Sequence, residues 1–247
     1  MTREAETSLV YGRHACAAVL DQRPRSVKRL WVQAGLTLDL VERAAAAGIT
    51  VASASQSALD ARCDGGVHQG VCLAVVPRDP EGEDSLWHRL GAVEATPLVL
   101  VLDGVQDPRN LGACLRTAEA AGCLAVVTPR DKAAPLSAAA RKASVGAAER
   151  MPLVRVGNLA RTLDTLADHG VWRVGAAGEA RVAHTEVDLA VPTALILGAE
   201  DRGLRRLTRQ KCDHLVHIPM WGAAGSLNVS VAAGVLLFEA VRQRGHG

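Results

Sequence analysis

The chain has 247 residues, with 28 basic and 26 acidic side chains that give a formal net charge of +2 at neutral pH. Hydrophobic residues make up 49% of it and aromatic residues only 2%. This composition is typical of a folded protein with a sizeable core, and it excludes a disordered or strongly basic chain. Scarce aromatic rings also argue against a protein that holds single-stranded nucleic acid on stacked aromatic side chains.

The first 78 residues alternate between helix-like and strand-like patterns, which predicts a small α/β domain. A basic run from Arg23 to Arg29 either contacts phosphate or forms a solvated face. The predicted elements are an amphipathic stretch at Tyr11–Leu20, a strand at Val27–Val32, a helix at Leu38–Ala47 and a strand at Val71–Val76.

A break in the pattern follows this domain. The segment Pro77–Asp84 contains proline, glycine and acidic residues and has no hydrophobic periodicity. Such a composition is typical of an exposed connection. We therefore predict a linker over residues 79–96.

From residue 97 onward, short apolar runs of strand length alternate with helix-length segments. This alternation predicts a parallel sheet with helices on both faces, and the ligands of such sheets bind beyond the carboxyl ends of the strands. No Gly-x-Gly-x-x-Gly or Walker A sequence follows any of these runs, so the pattern does not favour a dinucleotide fold. The predicted strands are Leu98–Leu102, Leu124–Val127, Leu153–Val156, Val171–Val174, Ala194–Leu197 and Leu215–Ile218.

The first candidate site follows the strand at Leu98–Leu102, where an Asp-Gly pair and a proline-containing turn precede a helix that begins around Asn110. Asn110 and Arg116 are six residues apart, so an ideal helix places their side chains about 120° apart. They reach one site only if Asn110 caps the helix and turns off its cylinder. Each residue alone is also typical of an ordinary helix, Asn110 as the cap and Arg116 as a solvated cation.

The second candidate site follows the strand at Ala194–Leu197 and has the form Gly-x-Glu-x-x-Gly. Gly198 and Gly203 bracket Glu200, and the two glycines allow the backbone to approach a bulky ligand closely. The pattern alone is weak evidence for a site. An arginine-rich segment, Arg202–Arg206, overlaps the end of this pattern.

The third candidate site is a turn of small and polar residues that leads into an apolar helix. Ser226, Asn228 and Ser230 lie at the helix start, where four backbone N–H groups lack partners within the helix. Such a start either binds a ligand or is an ordinary helix N-terminus capped by Ser226.

In this order, the three segments resemble the three sequence motifs of the SpoU (TrmH) family of RNA ribose 2′-O-methyltransferases, which belong to the knotted SPOUT class. The N-terminal part resembles the accessory RNA-binding domain of members that methylate large-subunit ribosomal RNA, through Tyr11–Ala15 and Val67–Val71. The resemblance therefore covers nearly the whole chain. The residues that carry it in the three motifs are Asn110, Arg116, Gly198, Glu200, Gly203, Ser226 and Asn228.

The resemblance implies an RNA-binding α/β domain similar to a ribosomal protein at residues 1–78, a linker at 79–96 and a methyltransferase domain at 97–247. It also implies a trefoil knot, in which the C-terminal segment passes through an earlier loop; hydrophobic patterning does not suggest a knot. Family members work as homodimers, and the apolar C-terminal helix near Phe238–Val241 offers a face for a second subunit.

In this family the methyl donor S-adenosylmethionine lies in the knot and is held mostly by backbone groups. The corresponding positions here are Gly198, Ile218 and Leu227. An apolar slot with a few backbone partners suits the adenine, and no metal is required. Without the motifs, Ile218 and Leu227 would be interpreted as core residues.

The implied reaction is methylation of a guanosine ribose in the peptidyl-transferase region of 23S rRNA. Arg116 is the family's proposed activator of the 2′-hydroxyl. Because arginine is a poor base, anchoring the adjacent phosphate and stabilising the developing alkoxide fits at least as well. Asn110, Glu200, Ser226 and Asn228 would orient Arg116, the substrate and the donor, with Glu200 pairing with the guanidinium.

Two alternatives remain open at this point. In the first, the substrate is a transfer RNA and not ribosomal RNA. In the second, the chain is a non-catalytic RNA-binding or ribosome-assembly protein that has kept the fold. The presence of Asn110, Arg116 and Glu200 argues against the second alternative, and the accessory domain argues against the first.

The cysteine spacing, the N-terminal sequence and Trp221 bear on metal binding, on location and on the donor pocket. The six cysteines include no Cys-x-x-Cys pair and no zinc-ligand spacing, so we expect no metal site. The polar start Met1–Ser8 and the absence of an apolar stretch of about 20 residues predict a cytoplasmic protein without a membrane span. Trp221 departs from the family pattern, which has smaller residues there, and it either flanks the donor pocket or fills space.

Overall fold

The computed structural model describes residues 7–36, 39–223 and 225–245, and the chain divides into two compact units. Unit 1 comprises Met1–Arg78 and Val145–Arg150, and unit 2 comprises Asp79–Ser144 and Met151–Gly247. Leu38, the predicted start of a helix, lies outside the described residues.

Unit 1 is a four-stranded sheet with the order β1-β4-β2-β3, in which β2 and β3 are parallel and the other pairs antiparallel. The predicted strands at β2 and β4 are confirmed, whereas β1, β3 and α3 were not predicted, because these short elements lack a clear apolar period. The strands are β1 Ser8–Tyr11, β2 Val27–Gln33, β3 Thr50–Ala54 and β4 Val71–Val75, and the helices are α1 Arg13–Gln22, α2 Asp39–Ala46 and α3 Gln56–Arg62.

The core of unit 1 lies between the sheet and the helices α1 and α2. Val19 of α1 and Ala44 of α2 are fully buried in one cluster with Leu30 and Leu73, which belong to β2 and β4. A helix that buries one stripe against a sheet removes apolar surface from water at about 25 cal/mol per Å². The amphipathic pattern of the sequence therefore determines which face each helix buries.

The short segment Val145–Arg150 completes unit 1. Glu149 is 1% exposed, and its carboxylate accepts a hydrogen bond from Arg23 Nη1 at 3.2 Å and another from the Arg78 backbone N–H at 2.7 Å. A buried carboxylate requires such partners, because an isolated buried charge is costly. The unit is thus assembled from two separate parts of the chain.

Unit 2 is a seven-stranded sheet with the order β7-β6-β5-β10-β8-β11-β9, and all of its pairs are parallel. The predicted α/β class and parallel sheet are confirmed; the two-residue strand β9 was not predicted. The strands are β5 Leu98–Asp103, β6 Ala125–Pro129, β7 Leu153–Val156, β8 Trp172–Ala176, β9 Val182–Ala183, β10 Thr193–Gly198 and β11 His214–His217.

The helices of unit 2 cover both faces of the sheet. Val99 and Val101 of β5 share a buried cluster with Leu163, while Leu100 alternates to the opposite face. That alternation explains the continuous apolar run of β5, since both of its faces are buried. The helices are α4 Glu83–Ala92, α5 Pro108–Ala120, α6 Ala138–Ser144, α7 Leu159–Asp168, α8 Arg206–Gln210 and α9 Val229–Gln243.

The segment predicted as an exposed linker, residues 79–96, is a packed part of unit 2. Most of it forms α4. Leu86 of this helix is fully buried and joins the sheet core. Glu81 bridges the β7 residue Val154 in parallel register and pairs with Arg89 at 3.0 Å. The proline and glycine content indicated a break between domains but concealed the amphipathic helix that follows it.

No helix within residues 7–36, 39–223 and 225–245 is long and apolar enough to cross a membrane. The knotted path that the resemblance implies stays a prediction.

Candidate active site

The parallel pairing of β5 with β10 brings two of the three candidate segments together. Gly198, the last residue of β10, lies opposite Asp103, the last residue of β5. Both strands therefore end at the same edge of the sheet, and the loops that follow them are neighbours. This edge is where open parallel sheets bind their ligands.

Asp107, and not Asn110, caps the helix of the first segment. The Asp107 carboxylate accepts a hydrogen bond from the Arg109 backbone N–H at 2.8 Å, and α5 begins at Pro108. Aspartate before a proline at the first helical position is a strong start signal, so the helix begins two residues before the predicted point. Asn110 consequently lies inside the first turn of α5.

The turn after β10 closes tightly on itself. A Cβ atom at Gly198 would lie 2.0 Å from the backbone carbon of Gly203, which itself has φ +63°. Ala199 and Gly203 form an isolated antiparallel bridge across the turn. Both glycines are required by this geometry, because a side chain at either position would clash or be strained.

Asp103 fixes the far end of this turn, a role that was not predicted. Its carboxylate is buried and accepts a hydrogen bond from the Arg205 backbone N–H at 2.8 Å, and the Arg205 side chain lies 3.4 Å from it. A Cβ atom at Gly104 would lie 2.9 Å from the Arg205 guanidinium. The Asp-Gly pair therefore holds the two strand-end loops together, and its detectable signal was an acidic residue at the end of a buried strand.

Asn228, and not Ser226, caps the third segment's helix. Asn228 Oδ1 accepts hydrogen bonds from the Ser230 backbone N–H at 2.9 Å and from Ser230 Oγ at 2.6 Å. This arrangement satisfies donors that α9 cannot satisfy internally. Ser226 is exposed and stands two residues before the cap.

One chain of hydrogen bonds joins all three segments. Asn228 Nδ2 donates to Asn110 Oδ1 at 3.1 Å, and Asn110 Nδ2 donates to a carboxylate oxygen of Glu200. The three residues are up to 118 positions apart in the sequence. The Asn110 amide can link the two partners because its oxygen accepts a hydrogen bond while its nitrogen donates one.

A cavity of about 420 Å³ opens beside this chain of hydrogen bonds. Its volume lies within the range of small-molecule and cofactor sites. Glu179 and Arg209 form an ion pair on its wall. Burial raises the pKa of the nearby Cys114 thiol to about 12, and the Glu200 carboxylate adds to this effect, so Cys114 stays neutral. The predicted residues that line the cavity are Gly198, Glu200, Gly203, Ile218, Ser226 and Leu227.

Arg116 is not brought into this constellation. It is exposed on α5, and none of the described residues forms a hydrogen bond or ion pair with its guanidinium. Glu200, expected to pair with it, accepts a hydrogen bond from Asn110 instead. Asn110 and Arg116 both lie within α5, six residues apart, so the helix directs their side chains about 120° apart. This spacing explains why the two side chains do not meet at one site.

Comparisons with known proteins agree with the motifs. The SpoU rRNA Methylase family matches residues 97–238, and the family of RNA 2′-O ribose methyltransferase substrate-binding domains matches residues 9–81. The chain belongs to the SpoU rRNA methylase family. The resemblance inferred from the three motifs is thereby confirmed.

Members of the SpoU family are similar to this chain over nearly its whole length. The 23S rRNA (guanosine-2′-O-)-methyltransferase RlmB of Pseudomonas syringae pv. tomato is 52% identical, and the match covers 95% of each chain. The protein of the same name from Escherichia coli K12 is 44% identical over 96% of this chain and 99% of its own. The crystal structure of the SpoU methyltransferase AviRb from Streptomyces viridochromogenes, in complex with AdoMet, superimposes with a TM-score of 0.73 at 25% identity and covers 98% of this chain and 92% of AviRb.

The side chains of this SpoU family member do not form a metal site in the part of the chain that the structure describes. No group of three His, Cys, Asp or Glu residues there is arranged to hold an ion. The cavity instead presents glycine backbone, aliphatic side chains and a few polar groups, as organic ligands require.

Proposed function

We propose that this chain transfers a methyl group from S-adenosylmethionine to the ribose 2′-oxygen of a guanosine in 23S rRNA. The observation that carries the proposal is the union of the three family motifs in one chain of hydrogen bonds beside a cofactor-sized cavity. The RlmB names of relatives about half identical over 95% of the chain support the substrate.

The cavity residues fit the methyl donor. Gly198 allows the backbone to approach a bound molecule, and Ile218 and Leu227 supply apolar wall. We propose that these three residues hold S-adenosylmethionine, whose sulfonium supplies the methyl group when it is bound. The Glu200 carboxylate on the same wall favours a positively charged ligand over a neutral one.

The residues around the cavity mouth would position the substrate ribose. Asn110 and Asn228 hold the Glu200 carboxylate and the start of α9 in a fixed arrangement, so little free energy is needed to order them when RNA binds. We propose that Ser226 and the α9 start face the ribose. Arg116, which is exposed and has no partner among the described residues, is free to bind the adjacent phosphate and to stabilise negative charge on the 2′-oxygen.

Unit 1 favours ribosomal RNA over transfer RNA as the substrate. Residues 9–81 match a dedicated substrate-binding family, and unit 1 folds around its own core. A separate binding unit extends the surface that can select a large RNA. We propose on the same ground that the protein acts in the cytoplasm, where its ribosomal RNA substrate would be.

We further propose a homodimer. Val231 and Phe238 of α9 are 51% and 49% exposed and lie seven residues apart, so they share one face of the helix. A second copy would cover this apolar face. Sedimentation of the purified protein at micromolar concentration tests the proposal.

The reaction is tested by incubating the protein with labelled S-adenosylmethionine and either 23S rRNA or transfer RNA that lacks 2′-O-methylation. We expect one alkali-resistant bond, next to a guanosine, in 23S rRNA only. Glu200→Gln should lose this product, whereas Glu94→Gln, the same change at an exposed glutamate that does not line the cavity, should retain it. Labelling of transfer RNA alone, or no labelling of either RNA, would contradict the proposal.

A further inference from the structure

Trp221 lies in the loop between β11 and α9, and it is 99% exposed. The chain has only six aromatic residues, namely four Trp, one Tyr and one Phe. Trp172 is the tryptophan with the next largest exposure that the structure shows, at 47%, and its ring stacks on His214. Trp221 therefore differs from the other exposed tryptophan in that its large apolar ring stacks on no other ring among the described residues.

Single exposed apolar side chains are common on protein surfaces, so exposure alone does not indicate a binding role. The position of Trp221 beside the donor cavity does. Trp221 and Pro219 line a second cavity of about 440 Å³, and neither lines the donor cavity. The remaining residues of the second cavity, which include His217 and Ile218, line both. The indole thus stands outside the mouth of the donor cavity and not within it.

A buried polar atom in the same place also indicates a ligand. His217 Nδ1 is buried and has no hydrogen-bond partner among the described residues. His217 lines both cavities, so a molecule that enters the second cavity can reach its ring. Buried polar atoms without partners are uncommon in folded proteins. The second cavity accordingly combines an open aromatic face, apolar wall and one polar group.

We infer that Trp221 stacks on a nucleobase of the substrate RNA next to the methylated nucleotide. The inference rests on the proposed function, since only an RNA substrate must cover the mouth of the donor cavity. The donor is small enough for the 420 Å³ cavity, which Trp221 does not line, so the ring is left for the RNA. Stacking on an aromatic ring holds a base of any identity.

Trp221 is therefore a positioning residue. A stacked base fixes the RNA strand beside the cavity mouth and limits how the target ribose can approach. Its loss should raise the KM for RNA far more than it lowers kcat. It should leave the affinity for the donor unchanged, because the ring lies outside the donor cavity.

The test compares Trp221→Ala and Trp221→Phe with Trp172→Ala as a matched control. RNA affinity is measured by fluorescence anisotropy of a labelled 23S rRNA fragment, and donor affinity by calorimetry without RNA. We expect Trp221→Ala to weaken RNA binding about ten-fold, Trp221→Phe to restore most of it, and Trp172→Ala to have no effect. All three variants should bind the donor as the wild type does.

Intrinsic fluorescence provides a second measurement. RNA should quench the wild-type emission more than that of Trp221→Phe, and the donor alone should quench both equally. Unchanged RNA binding in Trp221→Ala, or a ten-fold loss of donor affinity instead, would overturn the inference. Because neither measurement requires turnover, an inactive wild type that still shows RNA-dependent quenching would refute the proposed reaction and leave the stacking intact.

Discussion

Asn110 shows how one side chain connects distant parts of the site. It accepts from Asn228 and donates to Glu200, so both ends of its amide are used. Aspartate has nearly the same shape but no N–H group, and its charge would lie beside the Glu200 carboxylate. The polar arrangement therefore requires a side chain at this position that can both accept and donate a hydrogen bond.

Arg116→Ala is the sharpest test at the level of a residue. Because we assign Arg116 to the phosphate and the developing charge on the 2′-oxygen, its removal should lower kcat at least 100-fold. Donor affinity, measured by calorimetry, should not change, since Arg116 does not line the donor cavity. Turnover close to that of the wild type would remove Arg116 from the proposed mechanism.

Arg161→Ala is the control for this experiment. Arg161 is an exposed arginine of α7 whose side chain lies 3.6 Å from Glu83. Such surface pairs contribute little to stability. Its replacement changes the net charge by the same amount as Arg116→Ala, so a similar loss of turnover in both variants would indicate a general charge effect.

At the level of elements, the crossing of α5 and α6 supports the site, because Asn110 and Arg116 both belong to α5. Gly112 permits the crossing: a Cβ atom there would lie 2.2 Å from the Ala140 carbonyl oxygen and 2.7 Å from the Ala143 Cβ. Backbone cannot move away as easily as a flexible side chain. The position of α5 therefore depends on this glycine.

Gly112→Ala should destabilise unit 2 by about 1–3 kcal/mol, since overpacking forces the two helices apart. Urea unfolding followed by circular dichroism measures this change. The control is Gly234→Ala on α9, where a Cβ atom would meet only Thr117 Cγ2 at 3.8 Å. In a helix that substitution should be neutral or stabilising by up to about 1 kcal/mol. A neutral Gly112→Ala would show that the crossing tolerates a methyl group.

The N-terminal residue Asn228 has two roles in α9, one structural and one in the candidate site. Asn228 caps the helix through Oδ1 and contacts Asn110 through Nδ2. A cap of this kind stabilises a helix by about 1 kcal/mol. Folding of α9 and assembly of the site are thus coupled through one side chain.

At the scale of the whole molecule, unit 1 is not a continuous piece of chain. Val145–Arg150 belongs to it, and the buried Glu149 carboxylate is held by Arg23. Arg23 also donates to the backbone oxygens of Glu149 and Val76 at 3.0 and 3.3 Å. This arginine therefore connects three segments that are distant in the sequence.

Arg23→Ala should destabilise unit 1 by about 3 kcal/mol, because it removes a cation from a buried carboxylate. Amide hydrogen exchange should then become roughly 100-fold faster in β2 and β4, with little change in unit 2. Arg25→Ala, an exposed change in the same basic run, should leave the exchange unaffected. Equal protection in both variants would show that Glu149 does not depend on Arg23.

The sequence alone supported a large part of this description. Apolar runs such as Leu98–Leu102 predicted strands that pair in parallel, because a strand buried on both faces must be apolar throughout. The three motifs predicted the family, which the comparisons confirm. Short or mixed elements, such as β3 and α4, were missed because their burial depends on neighbours that local periodicity does not reveal.

How the three motifs meet depends on long-range packing and does not follow from local sequence. Local rules assigned the helix caps to Asn110 and Ser226, but the caps are Asp107 and Asn228, and the Asn110 side chain is left free to bridge Glu200. Such contacts follow from the register of β5 with β10 and from the packing of α9. Local sequence encodes which residues can form a strand, a cap or a hydrogen bond, whereas the partner of each is selected when the whole core is buried at once.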